Sequence, residues 1–275
     1  MKYQKLSNGQ NIPLVGLGTW NIGGRFEKDL SKEKEEIKVI QEAIKLGIGH
    51  IDTAEIYGNG QTETEVGTAI RDFERKNLFI TTKVWNSNLH YGDVIQSLER
   101  SLKRLQTDYV DLYLIHWPNP NIPIKETIEA MEHLVDKGKV KSIGVSNFSV
   151  KEIKDAKKYL KKQKIVVNQI EYNLLSREAE KELIPFCKKN NIAIISYRPL
   201  AKGDLANDKI KVLRNVARKY DKTSAQIALK WLISRNIIVI PKSTNIDHLK
   251  QNLDIFDWEL KKEDIENLEK TIPSM

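Results

Sequence analysis

The sequence has a single cysteine and no long apolar segment. Because Cys187 is the only cysteine among 275 residues, no disulfide can form within the chain. No segment approaches the roughly 18–20 apolar residues that span a bilayer. The first residues also lack the apolar stretch of a secretory signal. We therefore expect a cytoplasmic protein with no membrane partner.

Aromatic residues are few, at 7% of the chain, and they rarely alternate with the basic residues that give a net charge of +8. In the lysine-rich segment 154–164, lysines alternate with apolar positions at helical spacing, which is typical of the outer face of an amphipathic helix. The sequence therefore does not indicate a nucleic-acid partner. Most of the charge is interpreted as a solvated lysine surface, and the alternative is attraction of phosphorylated cofactors.

Short β-rich runs alternate with amphipathic stretches along the whole chain. Strands are predicted at about residues 14–18, 50–54, 78–85, 110–117, 142–147, 166–172, 192–197 and 237–242. Helices are predicted at about residues 32–46, 63–75, 92–106, 125–137, 150–162, 177–190, 222–235 and 258–270, with another beginning near Ile246. Several of the strand runs are almost wholly apolar, which favours parallel strands buried on both faces.

Eight strand–helix units without a break in composition predict an α/β fold, a (β/α)8 TIM barrel that forms a single domain over residues 1–275. An open, doubly wound sheet is the alternative, but the even spacing of the units favours closure. Asn8-Gly9 between extended residues indicates an N-terminal β-hairpin. We expect this hairpin to cap the bottom of the barrel.

Four polar residues lie at or just after the ends of predicted strands, where barrels of this kind carry their active sites. They are Asp52, Tyr57, Lys83 and His116. Reduction of a carbonyl group requires a proton donor, and Tyr57 is suited to this if the Lys83 ammonium lowers its pKa. Asp52 would keep Lys83 in place and charged. His116 would hydrogen-bond the substrate oxygen and direct it toward the hydride donor.

The segments around these residues resemble the aldo-keto reductase family. The matching segments follow the family order and cover nearly the whole chain: VGLGTW (15–20), HIDTAEIYGN (50–59), ITTKVW (80–85), DLYLIHWP (111–118), IGVSNF (143–148), VVNQIEYN (166–173), ISYRPL (195–200) and IPKST (240–244). The resemblance implies a monomeric barrel that reduces aldehydes and ketones with NAD(P)H and without a metal. It also implies that Asp52, Tyr57, Lys83 and His116 form the catalytic tetrad, with Tyr57 as the general acid.

A Rossmann cofactor site is not indicated, because no Gly-x-Gly-x-x-Gly lies between a strand and a helix. The resemblance instead implies a dinucleotide extended across the barrel top. Ser146, Asn147 and Gln169 would bind its carboxamide, and Tyr197 would stack on the nicotinamide ring. The other cofactor-binding residues that we infer from the resemblance are Thr19, Arg198, Leu200, Gly203, Leu205, Lys242, Ser243, Thr244, His248, Gln251 and Asn252.

The segment that would bind the adenosine 2′-phosphate departs from the family pattern. Lys242 precedes a predicted helix, and helix N-termini favour phosphate. However, His248 replaces the usual arginine and Gln251 replaces the usual glutamate, which weakens the case for NADPH over NADH. Arg198 also replaces a small residue, and it is either a phosphate contact or a surface arginine. We expect NADPH as the cofactor, with NADH as the alternative.

Three tryptophans lie at or just after strand ends on the catalytic side: Trp20, Trp85 and Trp117. We expect them to line a pocket for aldehydes and ketones with apolar or planar parts. The loop after His116 and the tail after the last helix are short, so we expect an open site with broad substrate scope.

Two other functions stay open at this point. Lys83 could form a Schiff base in an aldolase, which would require a neutral lysine, and the neighbouring Asp52 argues against this. A regulatory protein on the same fold would bind cofactor with little turnover, as in the channel-associated and lens members of the family.

Overall fold

The computed structural model describes residues 2–274, and its centre is a parallel sheet of eight strands. Two short strands, β1 (Tyr3–Lys5) and β2 (Asn11–Pro13), form a separate antiparallel pair. The barrel strands are β3 (Gly16–Gly18), β4 (His50–Asp52), β5 (Phe79–Val84), β6 (Val110–Ile115), β7 (Val140–Ser146), β8 (Ile165–Glu171), β9 (Ala193–Tyr197) and β10 (Ile238–Val239). They lie side by side in sequence order.

Helices cover the outside of the sheet. They are α1 (Glu33–Lys45), α2 (Gln61–Ile70), α3 (Tyr91–Leu105), α4 (Ile124–Asp136), α5 (Val150–Lys157), α6 (Leu183–Lys189), α7 (Lys211–Lys219), α8 (Ser224–Ser234), α9 (Ile246–Leu253) and α10 (Lys262–Thr271). None of the helices within residues 2–274 combines the length and the apolar character that a membrane span requires.

The first and last strands of the sheet meet and close it into a barrel. The backbone N–H of Val239 donates to the carbonyl of Leu14 at 2.9 Å, and that of Gly18 donates to the carbonyl of Pro241 at 3.2 Å. Val15 and Val239 also form a parallel bridge. The predicted (β/α)8 barrel is therefore confirmed, and the open sheet is not formed.

The β1–β2 hairpin covers the N-terminal end of the barrel. Leu6, Ile12 and Leu14 are buried in one cluster with interior residues such as Phe79 and Leu112. At the turn, Asn8 Nδ2 donates to Ser142 Oγ at 2.7 Å, which fixes the hairpin to β7. The predicted cap is confirmed, since these contacts keep the apolar barrel interior away from water.

Two stretches differ most from the helices that the sequence predicts, in addition to α2 and α5, which end at Ile70 and Lys157 rather than at 75 and 162. Most of the lysine-rich segment 154–164 therefore lies beyond the end of α5, so its interpretation as the outer face of a helix is wrong for residues 158–164. The stretch 177–190 is divided, because a short 3₁₀ turn covers Glu178–Glu180 and α6 starts only at Leu183, with Pro185 in its first turn. The second difference is α7, which the sequence analysis did not predict. Leu213, Val216 and Ala217 of α7 are buried and have helical spacing. The pattern is short and basic residues interrupt it, so it is hard to recognise in the sequence.

Truncation of the hairpin core should destabilise the barrel. Ile12 is fully buried, so Ile12→Ala removes packed methyl groups and should lower the free energy of unfolding by about 2–5 kcal/mol. Urea denaturation followed by circular dichroism measures this change. Tyr3→Ala in the same hairpin is the control, because Tyr3 is exposed. Equal stability of the Ile12→Ala variant and the native protein would contradict the capping role.

Candidate active site

A buried ion pair joins the C-terminal ends of β4 and β5. Asp52 pairs with Thr81 across the two strands, so Lys83, two residues further on, lies on the same face. Lys83 Nζ lies 2.6 Å from Asp52 Oδ1, and their side chains are 0% and 2% exposed. The same ammonium donates to the carbonyl of Thr53 at 2.8 Å. The strand register therefore fixes the orientation of the charged group.

Tyr57 lies in the loop after β4 and contacts this ion pair. Lys83 Nζ donates to the Tyr57 hydroxyl at 3.4 Å. The next residue, Gly58, has φ +53°, and a Cβ there would lie 2.3 Å from the carbonyl oxygen of Gly23. Its N–H donates to the carbonyl of Arg25 at 2.7 Å. A glycine is thus required for the loop after β3 to pack against the loop that carries Tyr57.

His116 lies just after β6, with its ring beside Tyr57. The ring centroids of the two residues are 5.6 Å apart in an edge-to-face arrangement. Burial, and then the charge of Lys83, lower the pKa of His116 well below its usual value. His116 is therefore neutral near neutral pH, and a neutral imidazole can donate one hydrogen bond to a substrate oxygen.

The surroundings of Tyr57 and Lys83 keep both groups protonated, so that Tyr57 is neutral and Lys83 is charged. Burial raises the pKa of Tyr57, while Lys83 lowers it but does not outweigh burial. The lowered Tyr57 pKa that the sequence predicts is therefore wrong in net direction, although Lys83 acts with the expected sign. Burial alone would lower the pKa of Lys83, but Asp52 and Tyr57 raise it above its usual value. A charged Lys83 argues against the Schiff-base alternative.

The residues predicted to bind the nicotinamide end lie around this group. Gln169 Nε2 donates to Asp52 Oδ2 at 2.7 Å, a contact that the sequence analysis did not predict. Asn147 Nδ2 donates to the carbonyl of His116 and to Ser146 Oγ, each at 3.0 Å. The Tyr197 hydroxyl donates to Asn147 Oδ1 at 2.8 Å. The structure thus brings amide groups, a hydroxyl group and an aromatic ring to the same end of the barrel.

A cavity of about 420 Å³ contains most of the residues predicted for the adenosine end. The predicted residues that line it are Leu200, Lys242, Ser243, His248, Gln251 and Asn252. The opposite wall includes Asp208, Arg214, Arg218 and Lys222, none of which was predicted from the sequence. The helical spacing of the apolar residues Leu213, Val216 and Ala217 is the sequence signal that predicts a helix here. That helix would have placed Arg214 and Arg218 on one face.

Five other predicted cofactor residues lie outside this cavity lining. Thr19 is buried and donates to the carbonyl of Asp52 at 2.8 Å. Arg198 pairs with Glu171 at 2.8 Å. Gly203 ends a 3₁₀ turn, Leu205 is buried in the hydrophobic core and Thr244 is exposed.

Aromatic side chains line the mouth of the site. The Trp20 ring is edge-on to Tyr57, with centroids 4.9 Å apart, and Trp85 is edge-on to His116 at 5.2 Å. Trp117 is 41% exposed. Phe26, which the sequence analysis missed, is 58% exposed and packs edge-on against Trp20 at 5.2 Å. The rings of Trp20, Phe26 and Trp85 form a partly open apolar rim around Tyr57 and His116.

This geometry agrees with the sequence comparison. The family model described as "Aldo/keto reductase family" matches residues 14–273. The chain belongs to the aldo/keto reductase family. Family membership confirms the expected reaction class, the reduction of carbonyl groups with a nicotinamide cofactor.

Relatives of known name and structure are similar over nearly the whole chain. Glyoxal reductase of Bacillus subtilis is 39% identical over 267 residues, which is 96% of this chain and 91% of the relative. Methylglyoxal reductase YeaE of Escherichia coli is 35% identical, with 99% and 95% covered. An aldo-keto reductase of Klebsiella pneumoniae, solved with NADPH, is 33% identical with a TM-score of 0.91, and the match covers 100% of this chain and 96% of that one.

Proposed function

We propose that this protein reduces aldehydes and ketones to alcohols with NADPH, and that Tyr57 donates the proton. The observation that carries the proposal is the buried contact series from Asp52 through Lys83 to the Tyr57 hydroxyl. A phenol at the end of such a series can protonate the oxygen of a carbonyl group as negative charge develops there.

Each member of the series has a separate task. Asp52 and the Thr53 carbonyl hold the Lys83 ammonium, and Gln169 holds the other oxygen of Asp52. Lys83 stabilises the phenolate that remains after Tyr57 gives up its proton. Neutral His116 orients the substrate oxygen toward Tyr57. The bound cofactor supplies the hydride.

The residues present suit a nicotinamide dinucleotide phosphate. The Ser146 hydroxyl can donate to a carboxamide and Gln169 Oε1 can accept from it, whereas both N–H groups of Asn147 already donate to the His116 carbonyl and Ser146 Oγ. The Tyr197 ring lies beside these groups. Leu200, three residues after Tyr197 in the chain, lines the cavity of about 420 Å³, and basic side chains line the same cavity. The Klebsiella pneumoniae relative was solved with NADPH, which supports this choice of cofactor.

Removal of the Tyr57 hydroxyl tests the proposal. Tyr57→Phe keeps the ring and removes the proton donor, so the rate of carbonyl reduction should fall by about 10²–10⁴-fold. Cofactor binding should be retained. The measurement is oxidation of NADPH, and separately NADH, at 340 nm (the nicotinamide absorbance) with a panel of aldehydes and ketones.

Tyr159→Phe is the matched control, since Tyr159 is an exposed tyrosine outside the site. Unchanged turnover in Tyr57→Phe would contradict the assignment of the proton donor. Cofactor binding without turnover in the native protein would favour the regulatory alternative. Equal kcat/KM with NADPH and NADH would contradict the cofactor preference.

The open rim of aromatic side chains should give broad substrate scope. Because Trp117 and Phe26 remain partly exposed, they offer apolar contact without enclosing the substrate. We expect measurable kcat/KM for small dicarbonyls, aromatic aldehydes and simple ketones. Glyoxal and methylglyoxal belong in this panel, since two relatives are named for them. Turnover restricted to one sugar or one steroid would contradict an open site.

A further inference from the structure

The basic cavity beside the active site has two walls that face each other. The loop after β10 and helix α9 supply Lys242 and His248, and helix α7 supplies Arg214 and Arg218. We propose that Arg214 and Arg218 bind the phosphate on the adenosine ribose of NADPH and so select it over NADH. This inference rests on the proposed function, because it assumes that the cofactor is a nicotinamide dinucleotide.

The two arginines lie on the same face of α7. They are four residues apart, so their side chains project from neighbouring turns toward the cavity. Leu213 and Val216 face the protein core instead. Ala217 also lines the cavity. The helix thus presents two permanent cations to one space.

These cations are only partly engaged within the protein. Arg218 is exposed, and its side chain makes no hydrogen bond or ion pair within residues 2–274. Arg214 Nη1 donates to the carbonyl of Asp208 at 3.1 Å, but its buried Nε has no partner in the same part of the chain. A buried donor without a partner costs free energy, so Arg214 gains from an acceptor that enters the cavity.

The other charges that line the cavity do not cancel the two arginines. Lys222 is already paired with Asp254 at 2.7 Å. Asp208, which accepts a hydrogen bond from Ser224 Oγ at 2.5 Å, keeps its negative charge and offsets one positive charge of the lining. Lys242 and His248 add basic groups on the opposite wall. The cavity therefore keeps an excess of positive charge that favours an anion.

The N-terminus of α9 is less available for phosphate than the sequence suggests. Asn245 Oδ1 accepts hydrogen bonds from the backbone N–H groups of Asp247 and His248, at 2.8 and 3.3 Å. Two of the free donors at this helix end are therefore satisfied. Because His248 also lacks the permanent charge of arginine, the arginines of α7 are a stronger source of binding energy than His248 and the α9 N-terminus.

The size and lining of the cavity fit a phosphorylated nucleoside. A volume of about 420 Å³ exceeds the space that a single phosphate ion requires and lies in the range of small-molecule sites. Leu200, Ala206 and Ala225 supply apolar surface for a base. Guanidinium groups match the oxygens of a phosphate monoester through paired hydrogen bonds. NADH lacks this phosphate, so the two cofactors should differ in affinity here.

Direct binding measurements separate this inference from catalysis. Isothermal titration calorimetry gives the Kd of NADP⁺ and NAD⁺ for the native protein, Arg218→Ala, Arg214→Met and Arg218→Lys. Each loss of a guanidinium should weaken NADP⁺ by about tenfold, as expected for a hydrogen bond to a charged group, and leave NAD⁺ unchanged. Arg218→Lys should restore part of the affinity, because it keeps the charge but not the planar fork.

Lys211→Ala is the matched control, since it removes one positive charge from α7 at an exposed position outside the cavity lining. Adenosine 2′-phosphate and adenosine 5′-phosphate, as probes without nicotinamide, should show the same selective loss in the arginine variants. Unchanged NADP⁺ affinity, or equal weakening of NADP⁺ and NAD⁺, would overturn the inference and leave the proposed function intact. A native protein that binds neither dinucleotide would overturn both.

Discussion

The active end of this barrel depends on one buried ion pair, Lys83 with Asp52. Removing two charges from water is costly, and the cost is offset only if geometry and further hydrogen bonds are good. Here the Thr53 carbonyl and the Gln169 amide provide those additional bonds. A shift of one residue in the β4–β5 register would turn Lys83 to the other face of the sheet. The β4–β5 register of the barrel therefore also fixes the geometry of the active site.

The proposed proton donor and the arginines proposed to select the cofactor lie in different parts of the same barrel end. Tyr57 and His116 lie on loops that follow β4 and β6, where burial keeps the phenol protonated and the imidazole neutral. The basic cavity lies between α7 and α9, beyond the β9 and β10 ends. Substitutions at Arg214 or Arg218 can therefore change the choice of cofactor without altering the proton donor.

Much of the fold followed from the sequence, because eight apolar runs at even spacing leave few alternatives to a closed barrel. The proximity of Asp52, Tyr57 and Lys83 was also predictable, since parallel strands bring their carboxyl ends together. The net direction of the Tyr57 pKa was not, because it depends on how burial compares with the charge of Lys83. Helix α7 was missed because its apolar positions are few and basic residues separate them. The Gln169–Asp52 contact depends on strands distant in sequence.

The most direct test of this account is the pKa of the Tyr57 hydroxyl itself, measured by NMR with ¹³Cζ-labelled tyrosine and assigned with Tyr57→Phe. The native protein should titrate above the usual tyrosine value, because burial outweighs Lys83. A variant with both Lys83→Met and Asp52→Asn leaves no unpaired charge. It should titrate at a still higher pH, because the stabilising effect of Lys83 on the phenolate is lost. A Tyr57 pKa that is unchanged or lower in this variant would contradict the role of the buried pair.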